Sequence, residues 1–241
     1  MGRIETHYRR RFETLLAARG GTDAPAEAKR LWALAAEHSV ANGIPPSLVA
    51  AHLCADLAQE AGTTAAFPRR FVCDAGLGGL ARWLRGAGYE SFWSPELDDA
   101  AVIREAQRHS ATLITSDSLM LERGVLRDAV VPSVFVPSTL TCEQQLQIVF
   151  HELGLVLLDP RCMRCGAELQ KIEKHTVSER IPPKTARWLD DYFICANCGR
   201  LFWRGTHWHR IRSTLEKIQL RSTAITLLAA LHRRLPGRAP S

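Results

Sequence analysis

Two Cys-x-x-Cys-Gly steps constrain this chain more than any other feature: Cys162-Met-Arg-Cys165-Gly166 and Cys195-Ala-Asn-Cys198-Gly199. A CxxC turn aims two thiolates at one point, and the glycine after it accepts the left-handed backbone of a tight knuckle. Two knuckles supply four soft ligands, the set that suits tetrahedral Zn²⁺. The 29 residues between them have room to fold back as strands, and KIEKHTV (171–177) reads as one. A redox pair fits poorly because the motif occurs twice, and an iron–sulfur cluster is the other metal group such ligands take. A closed four-sulfur site leaves no open coordination position, so the expected zinc holds the fold and does no chemistry. The remaining cysteines, Cys54, Cys73 and Cys142, are scattered and read as small buried residues.

Charge is distributed unevenly. The chain has 241 residues and a net charge of +6. Residues 1–70 carry 9 basic and 7 acidic side chains, residues 71–158 carry 6 and 11, and residues 159–241 carry 16 and 7. An acidic middle beside a basic last third suits metal-binding carboxylates next to a surface for a phosphate backbone. Hydrophobic content of 46% is that of a globular protein, with no apolar run of membrane-spanning length. The start, MGRIETHYRRRFE, has no apolar core of a signal peptide, and Glu5 and Glu13 argue against a transit peptide, so a cytoplasmic location is expected.

The patterning divides the chain into four parts. Residues 1–66 read as a small helical bundle: a helix from Arg3 to Arg19 stopped by Gly20-Gly21, a second capped by Thr22 or Asp23 and running to Asn42-Gly43, and a third opened by Pro45-Pro46-Ser47. These helices carry no motif of chemistry but offer a dimerisation or partner surface. After the linker Phe67-Pro68-Arg69-Arg70, residues 71–158 alternate strands and helices: FVCD, GLGGLARWLRGAG, a strand from Tyr89 to Trp93, DDAAVIREAQRHS, ATLITSD, a short helix in 118–127, VVPSVFVP, and a helix opened by a Thr141–Gln144 capping box. Such alternation predicts an α/β fold with a mainly parallel sheet covered on both faces. Residues 159–212 form the ribbon. Residues 213–241 hold the rest of an amphipathic helix from about Ile211 to Leu231 and a basic tail, HRRLPGRAPS.

Asp74 and Asp117 each end a candidate strand, and in an open parallel sheet that is the edge where ligands bind. Asp98 and Asp99 open a helix, from which a carboxylate reaches the same edge. Clustered carboxylates repel one another, and a divalent cation resolves the repulsion. Hard oxygen ligands select Mg²⁺ or Mn²⁺, ions that activate water and stabilise charge on a cleaved phosphodiester. Each acid also has a structural reading: Asp98 or Asp99 as a helix N-cap, Asp117 as the start of an Asx turn. Arg82 and Arg85, three apart on one helix, are candidates to steer a phosphate backbone. In the ribbon, GRLFWRGTHWHR mixes rings with cations. Arg200, Trp203, Arg204, His207 and Trp208 are therefore candidates to stack on unpaired bases and hold phosphates. The alternative for Phe202 and Trp203 is the small core of the ribbon.

Four blocks, CDAGLGGLARWLRGAGYE, LDDAAVIREAQRHSATLITSD, RCMRCGAEL and CANCGRLFWRGTHWHR, resemble the Mut-seven C-terminal RNase domain family over roughly residues 71–212. The resemblance implies a PIN-like nuclease core joined to a zinc ribbon, and acids matching Asp74, Asp99 and Asp117. Two departures stand out. Thr115-Ser116-Asp117 replaces the family's Thr-Arg-Asp, and Gly76 stands where a larger residue is common. Residues 1–66 do not match the ubiquitin-like domain that many relatives carry there. The resemblance implies a Mg²⁺- or Mn²⁺-dependent endoribonuclease with Asp98 assisting. The alternatives are an RNA- or ribosome-binding protein with an inert centre, and the toxin RNase of a toxin–antitoxin pair. The expected partner is RNA, whether tRNA, rRNA or mRNA, and no membrane.

Overall fold

A computed structural model describes residues 2–61 and 69–224, with side chains described for all of these but 59 and 221–224. Phe67, Pro68 and the basic tail of the sequence reading lie outside the described residues.

Three helices open the chain: α1 (Arg3–Ala18), α2 (Ala24–Asn42) and α3 (Pro46–Glu60). Asp23 caps α2 by accepting from the Ala26 N–H, and Gly43 ends it at φ +63°. The expected boundaries of the first two helices and the start of the third agree to within two residues.

The next part builds a four-stranded, all-parallel sheet from β1 (Arg70–Cys73), β2 (Glu90–Phe92), β3 (Thr112–Thr115) and β4 (Ser133–Phe135), in the order β2-β1-β3-β4. Between them run α4 (Gly78–Gly86), α5 (Asp99–Arg108) and the single-turn α6 (Gly124–Arg127); α7 (Cys142–Glu152) follows. The two-residue period of a strand sorts side chains onto two faces. Phe71, Cys73, Ile114 and Val134 face the layer of α4 and α7, while Val72 and Leu113 face Val102 and Ala106 of α5. Both faces are thus covered, as the alternation predicts. The Thr141–Gln144 capping box is present.

The helical bundle is fused to this core. α3 packs on α7, and Tyr8, Phe12 and Leu16 of α1 join the same apolar cluster. A polar patch sits in the joint. The fully buried Glu152 carboxylate is paired with Arg11. His52 lies edge-on to His151, with ring centroids 3.9 Å apart.

The last part is a three-stranded antiparallel sheet of β5 (Leu169–Ile172), β6 (Tyr192–Cys195) and β7 (Leu201–Trp203), with the single-turn α8 (Pro183–Ala186) in the span between β5 and β6. The expected strand over 171–177 stops at Ile172. Lys174–Arg180 is 3-10 helix instead, where Thr176 and Ser178 hydroxyls bond back to the carbonyls of Glu173 and His175. This turn delivers Val177 and Ile181 to the ribbon core around Tyr192. The final helix, α9 (Thr206–Ala224), begins earlier than expected. Trp208, Ile211, Leu215 and Ile218 follow a 3-4-3 spacing, and Leu215 and Ile218 pack into the main core beside α7. No helix among the described residues is long and apolar enough to cross a membrane.

Burial lowers the pKa of His52 from 6.5 to about 3, aided by His151 and His38. Burial lowers His7 of α1 likewise to about 3, aided by Arg11 and Arg10. Both are neutral in the fold, while the unfolded chain takes up protons below its ordinary value. Stability is therefore fully present above about pH 6.5 and falls as the pH drops toward about 3, with a slope near 1.4 kcal/mol per pH unit for a buried histidine. Urea midpoints at about pH 7 and about pH 5 measure this drop, which shrinks in His52→Gln; a flat profile contradicts it.

Candidate active site and metal centre

β1 and β3 are hydrogen-bonded neighbours, with Cys73 opposite Ile114. Their carboxyl ends therefore deliver Asp74 and Thr115-Ser116-Asp117 to one edge. The Asp74 carboxylate, 7% exposed, ties these ends together. Its Oδ1 accepts from the Gly76 N–H at 3.0 Å. Its Oδ2 accepts from the Ser116 N–H at 2.7 Å, the Thr115 hydroxyl at 2.7 Å and the Ser116 hydroxyl at 3.4 Å. Thr115 Oγ1 in turn accepts from the Asp117 N–H at 3.0 Å.

Asp117 is half-buried. Its Oδ1 accepts from the Leu119 N–H at 2.7 Å, which is the Asx turn of the structural reading. Its Oδ2 accepts no hydrogen bond among the described residues. Asp98 is exposed and caps α5 through the Ala101 N–H at 2.7 Å. Asp99 lies in the first turn of α5, 3.9 Å from Arg123, an exposed pair of little energetic worth. The loop from β2 to α5 brings both acids from the strand beside β1.

Trp93, which the sequence reading left unassigned, shapes this edge. Its Nε1–H donates to the Ala75 carbonyl at 2.9 Å, and its ring lies on Gly78, where a methyl group would stand 2.5 Å away. The glycine pair that opens α4 was the signal that something packs there.

The two arginines of α4 separate. Arg82 is exposed. Arg85 is buried, and donates to the carbonyls of Ser91 at 2.8 Å, Arg164 at 2.8 Å and Met163 at 3.4 Å. The expectation that Arg85 steers RNA is corrected: it is buried, with Nε bonded to β2 and Nη1 to the first cysteine knuckle, which holds the knuckle on the core. Burial lowers its pKa below the ordinary arginine value, opposed chiefly by Cys73 and the knuckle thiols. Gly88, at φ +99°, completes the joint, because a side chain there would run into Leu158.

The four knuckle sulfurs lie within 4.8 Å of one another. Cys165 and Cys195 stand 3.4 Å apart, Cys162 and Cys198 3.6 Å apart. Gly166 and Gly199 follow at φ +82° and +65°. This arrangement fits a tetrahedral, thiolate-bound ion. Burial raises the pKa of the Cys162 thiol, and metal binding by such thiols releases their protons. The carboxylates are not drawn together as the sulfurs are. Among the described residues, the cysteine quartet is the group of three or more metal-ligating side chains that converges.

The ribbon aromatics divide between two faces. Trp203 packs against the core residues Val177, Ile181 and Tyr192 and also lines the pocket on the opposite face. Phe202 and Phe193, paired across β7 and β6, face that pocket with Trp208. Arg200, Arg204 and His207 are exposed.

Together these features define a parallel α/β domain with acids at its carboxyl edge and a four-cysteine ribbon docked on it. A family model described as the Mut7-C RNAse domain matches residues 69–215, more than half of the chain, and the protein belongs to that family. Searches of curated proteins and of solved structures returned no match.

The Trp93 contact yields a test. Gly78→Ala forces a ring that is hydrogen-bonded in place to move, at a cost of about 1–3 kcal/mol. The expected readout is a lower melting temperature together with altered tryptophan fluorescence; an unchanged melt shows that the ring yields freely.

Proposed function

We propose that this protein is a divalent-metal-dependent endoribonuclease with a PIN-like core, hydrolysing phosphodiester bonds of single-stranded or structured RNA, and that its ribbon carries zinc as a structural ion. One observation supports the catalytic reading above all: Asp74 and Asp117 close two neighbouring parallel strands in a chain whose family is an RNase domain. A Mg²⁺ or Mn²⁺ ion held by these carboxylates would supply an activated water and offset charge on the cleaved phosphodiester. Asp74 keeps a lone pair on Oδ1, Asp117 keeps its Oδ2, and Asp99 adds a carboxylate from α5. Asp98 is largely spent as a cap. Arg82 offers an exposed cation on the helix that starts at the acidic loop.

A second reading, an RNA-binding protein with an inert centre, is favoured by two facts. The carboxylates stay apart, and the Asp74 oxygens are already occupied by four donors.

Cleavage of RNA by the purified protein is expected only with Mn²⁺ or Mg²⁺ added. Asp117→Asn is expected to lower the rate by ~100-fold or more, the scale of losing part of a metal's ligand sphere. Asp74→Asn is expected to abolish cleavage and also to lower stability by about 1–3 kcal/mol, because its amide would face donors that now meet an oxygen. Unchanged cleavage in Asp117→Asn would exclude the assignment; salt-dependent RNA binding without cleavage establishes the second reading.

Metal analysis of the purified protein is expected to find one zinc per chain. A strong chelator is expected to release it, expose four reactive thiols and lower the melting temperature. A folded, metal-free protein with all four thiols reduced contradicts the structural role.

A further inference from the structure

The ribbon holds a second feature that the acidic edge does not use. A cavity of about 320 Å³ opens between the outer face of the ribbon sheet, the start of α9 and the end of α4. Its aromatic walls are Phe193, Phe202, Trp203 and Trp208, and its cations are Arg161, Lys171 and Arg204, against one lining carboxylate, Asp159. Two of these cations are already engaged: Arg161 with Glu168 at 3.7 Å, and Lys171 with Asp191 at 3.0 Å. Arg204 is different. Its guanidinium lies 5.2 Å from the centre of the Phe193 ring and 5.5 Å from that of Trp208, and it makes no ion pair or hydrogen bond among the described residues. All five of its N–H donors are thus open to a ligand.

Flat apolar rings and a stacked guanidinium whose donors make no hydrogen bond match one chemistry. A nucleobase has a π face for the rings and a polar edge for the donors. The volume is at the small end of ligand cavities, which suits one nucleotide and not a duplex.

We infer that this cavity binds a single unpaired nucleobase of an RNA strand, stacked against Trp208 and Phe202 with Arg204 at its edge. The inference deepens the ribonuclease reading by making an unpaired base part of the substrate. α4 links the two places: it starts just after the Asp74 loop, and Gly86 at its end lines the cavity. Its nine residues rise about 13 Å. Arg82 is exposed midway.

The test uses full-length protein carrying Asp117→Asn, without added divalent cation, so that binding is read apart from cleavage. A fluorescently labelled single-stranded RNA and an abasic strand of the same length are titrated by anisotropy. The base-bearing strand is expected to bind at least ~5-fold more tightly, the lower end of one base–aromatic stack. Trp208→Ala and Phe202→Ala are expected to remove that difference while leaving weak, salt-dependent binding of both strands. Arg204→Lys, which keeps the charge but loses the planar fork, is expected to weaken only the base-bearing strand. Trp188→Ala, at a ring 84% exposed on the same ribbon, serves as the control and is expected to change nothing. Melting temperatures within the control's range show that the variants are folded. Equal affinity for the two strands, or an unchanged difference in folded Trp208→Ala and Arg204→Lys, overturns the inference. Cleavage by the unmutated protein with base-independent binding defeats the pocket alone; base-dependent binding without cleavage defeats the nuclease alone.

Discussion

The buried carboxylate of Asp74 fixes the geometry on which the acidic edge depends. β1 ends at Cys73, and its next residue enters the space beyond β3. There it meets two backbone N–H groups and two hydroxyls, which would otherwise have to find water or each other. The carboxylate satisfies all four. It thereby fixes the turn into α4, the path of Ser116 and, through Thr115, the position of Asp117. The same bonds occupy most of the lone pairs a cation would use. Asp74 is thus both a strut and a candidate ligand, and the remaining pair on Oδ1 is where the two roles are reconciled.

α4 carries the second constraint. Its first turn is pressed by Trp93, and its last turn holds Arg85, whose guanidinium reaches across to two carbonyls of the first cysteine knuckle. The chain running into the ribbon is also bonded to this helix end: the Leu158 N–H donates to the Ala87 carbonyl and the Arg161 N–H to that of Arg85. Charge-assisted bonds to buried carbonyls are stronger than neutral ones, so this joint is stiff. A four-sulfur knuckle would be a loose appendage on a flexible linker. Here it is held at a set orientation to the acidic edge.

What the sequence showed, and what it hid, follows from the range of each interaction. The cysteine knuckles were legible because each is a local turn with its own glycine. The strand ends at Asp74 and Asp117 were legible because the parallel sheet puts every carboxyl end on one edge, whatever the strand order. Arg85 was misread because three-residue spacing to Arg82 says which side chains share a helix face, not which of them the rest of the chain covers. In Leu201-Phe202-Trp203 the strand period sends Leu201 and Trp203 toward the ribbon core and Phe202 to the other face, while Trp203, at the strand end, also lines the pocket there. Trp93 and the 3-10 turn after Ile172 depend on partners distant in sequence or on side-chain bonds to local carbonyls, and neither leaves a periodic trace.

α7 explains why the helical bundle belongs to the same body as the α/β domain. α7 joins the core of the sheet and of the bundle, with Ile148, Val149 and Phe150 all buried in the shared cluster. It also packs on α4, α3 and α9, so the bundle and the last described helix meet on it. The joint with the bundle is not purely apolar. Glu152 is fully buried and needs Arg11, and His52 and His151 meet edge to edge. A buried ion pair adds little net stability over well-packed apolar groups, since desolvation offsets most of the attraction. Removing either partner, however, strands a charge in the interior. Such a patch discriminates: it permits the one docking in which Arg11 of α1 reaches Glu152 of α7 and penalises a slip by a helical turn. The bundle is therefore seated in a single register on the helix that also supports the sheet, and the bundle, one face of the sheet and α9 share one apolar core beside the ribbon's own.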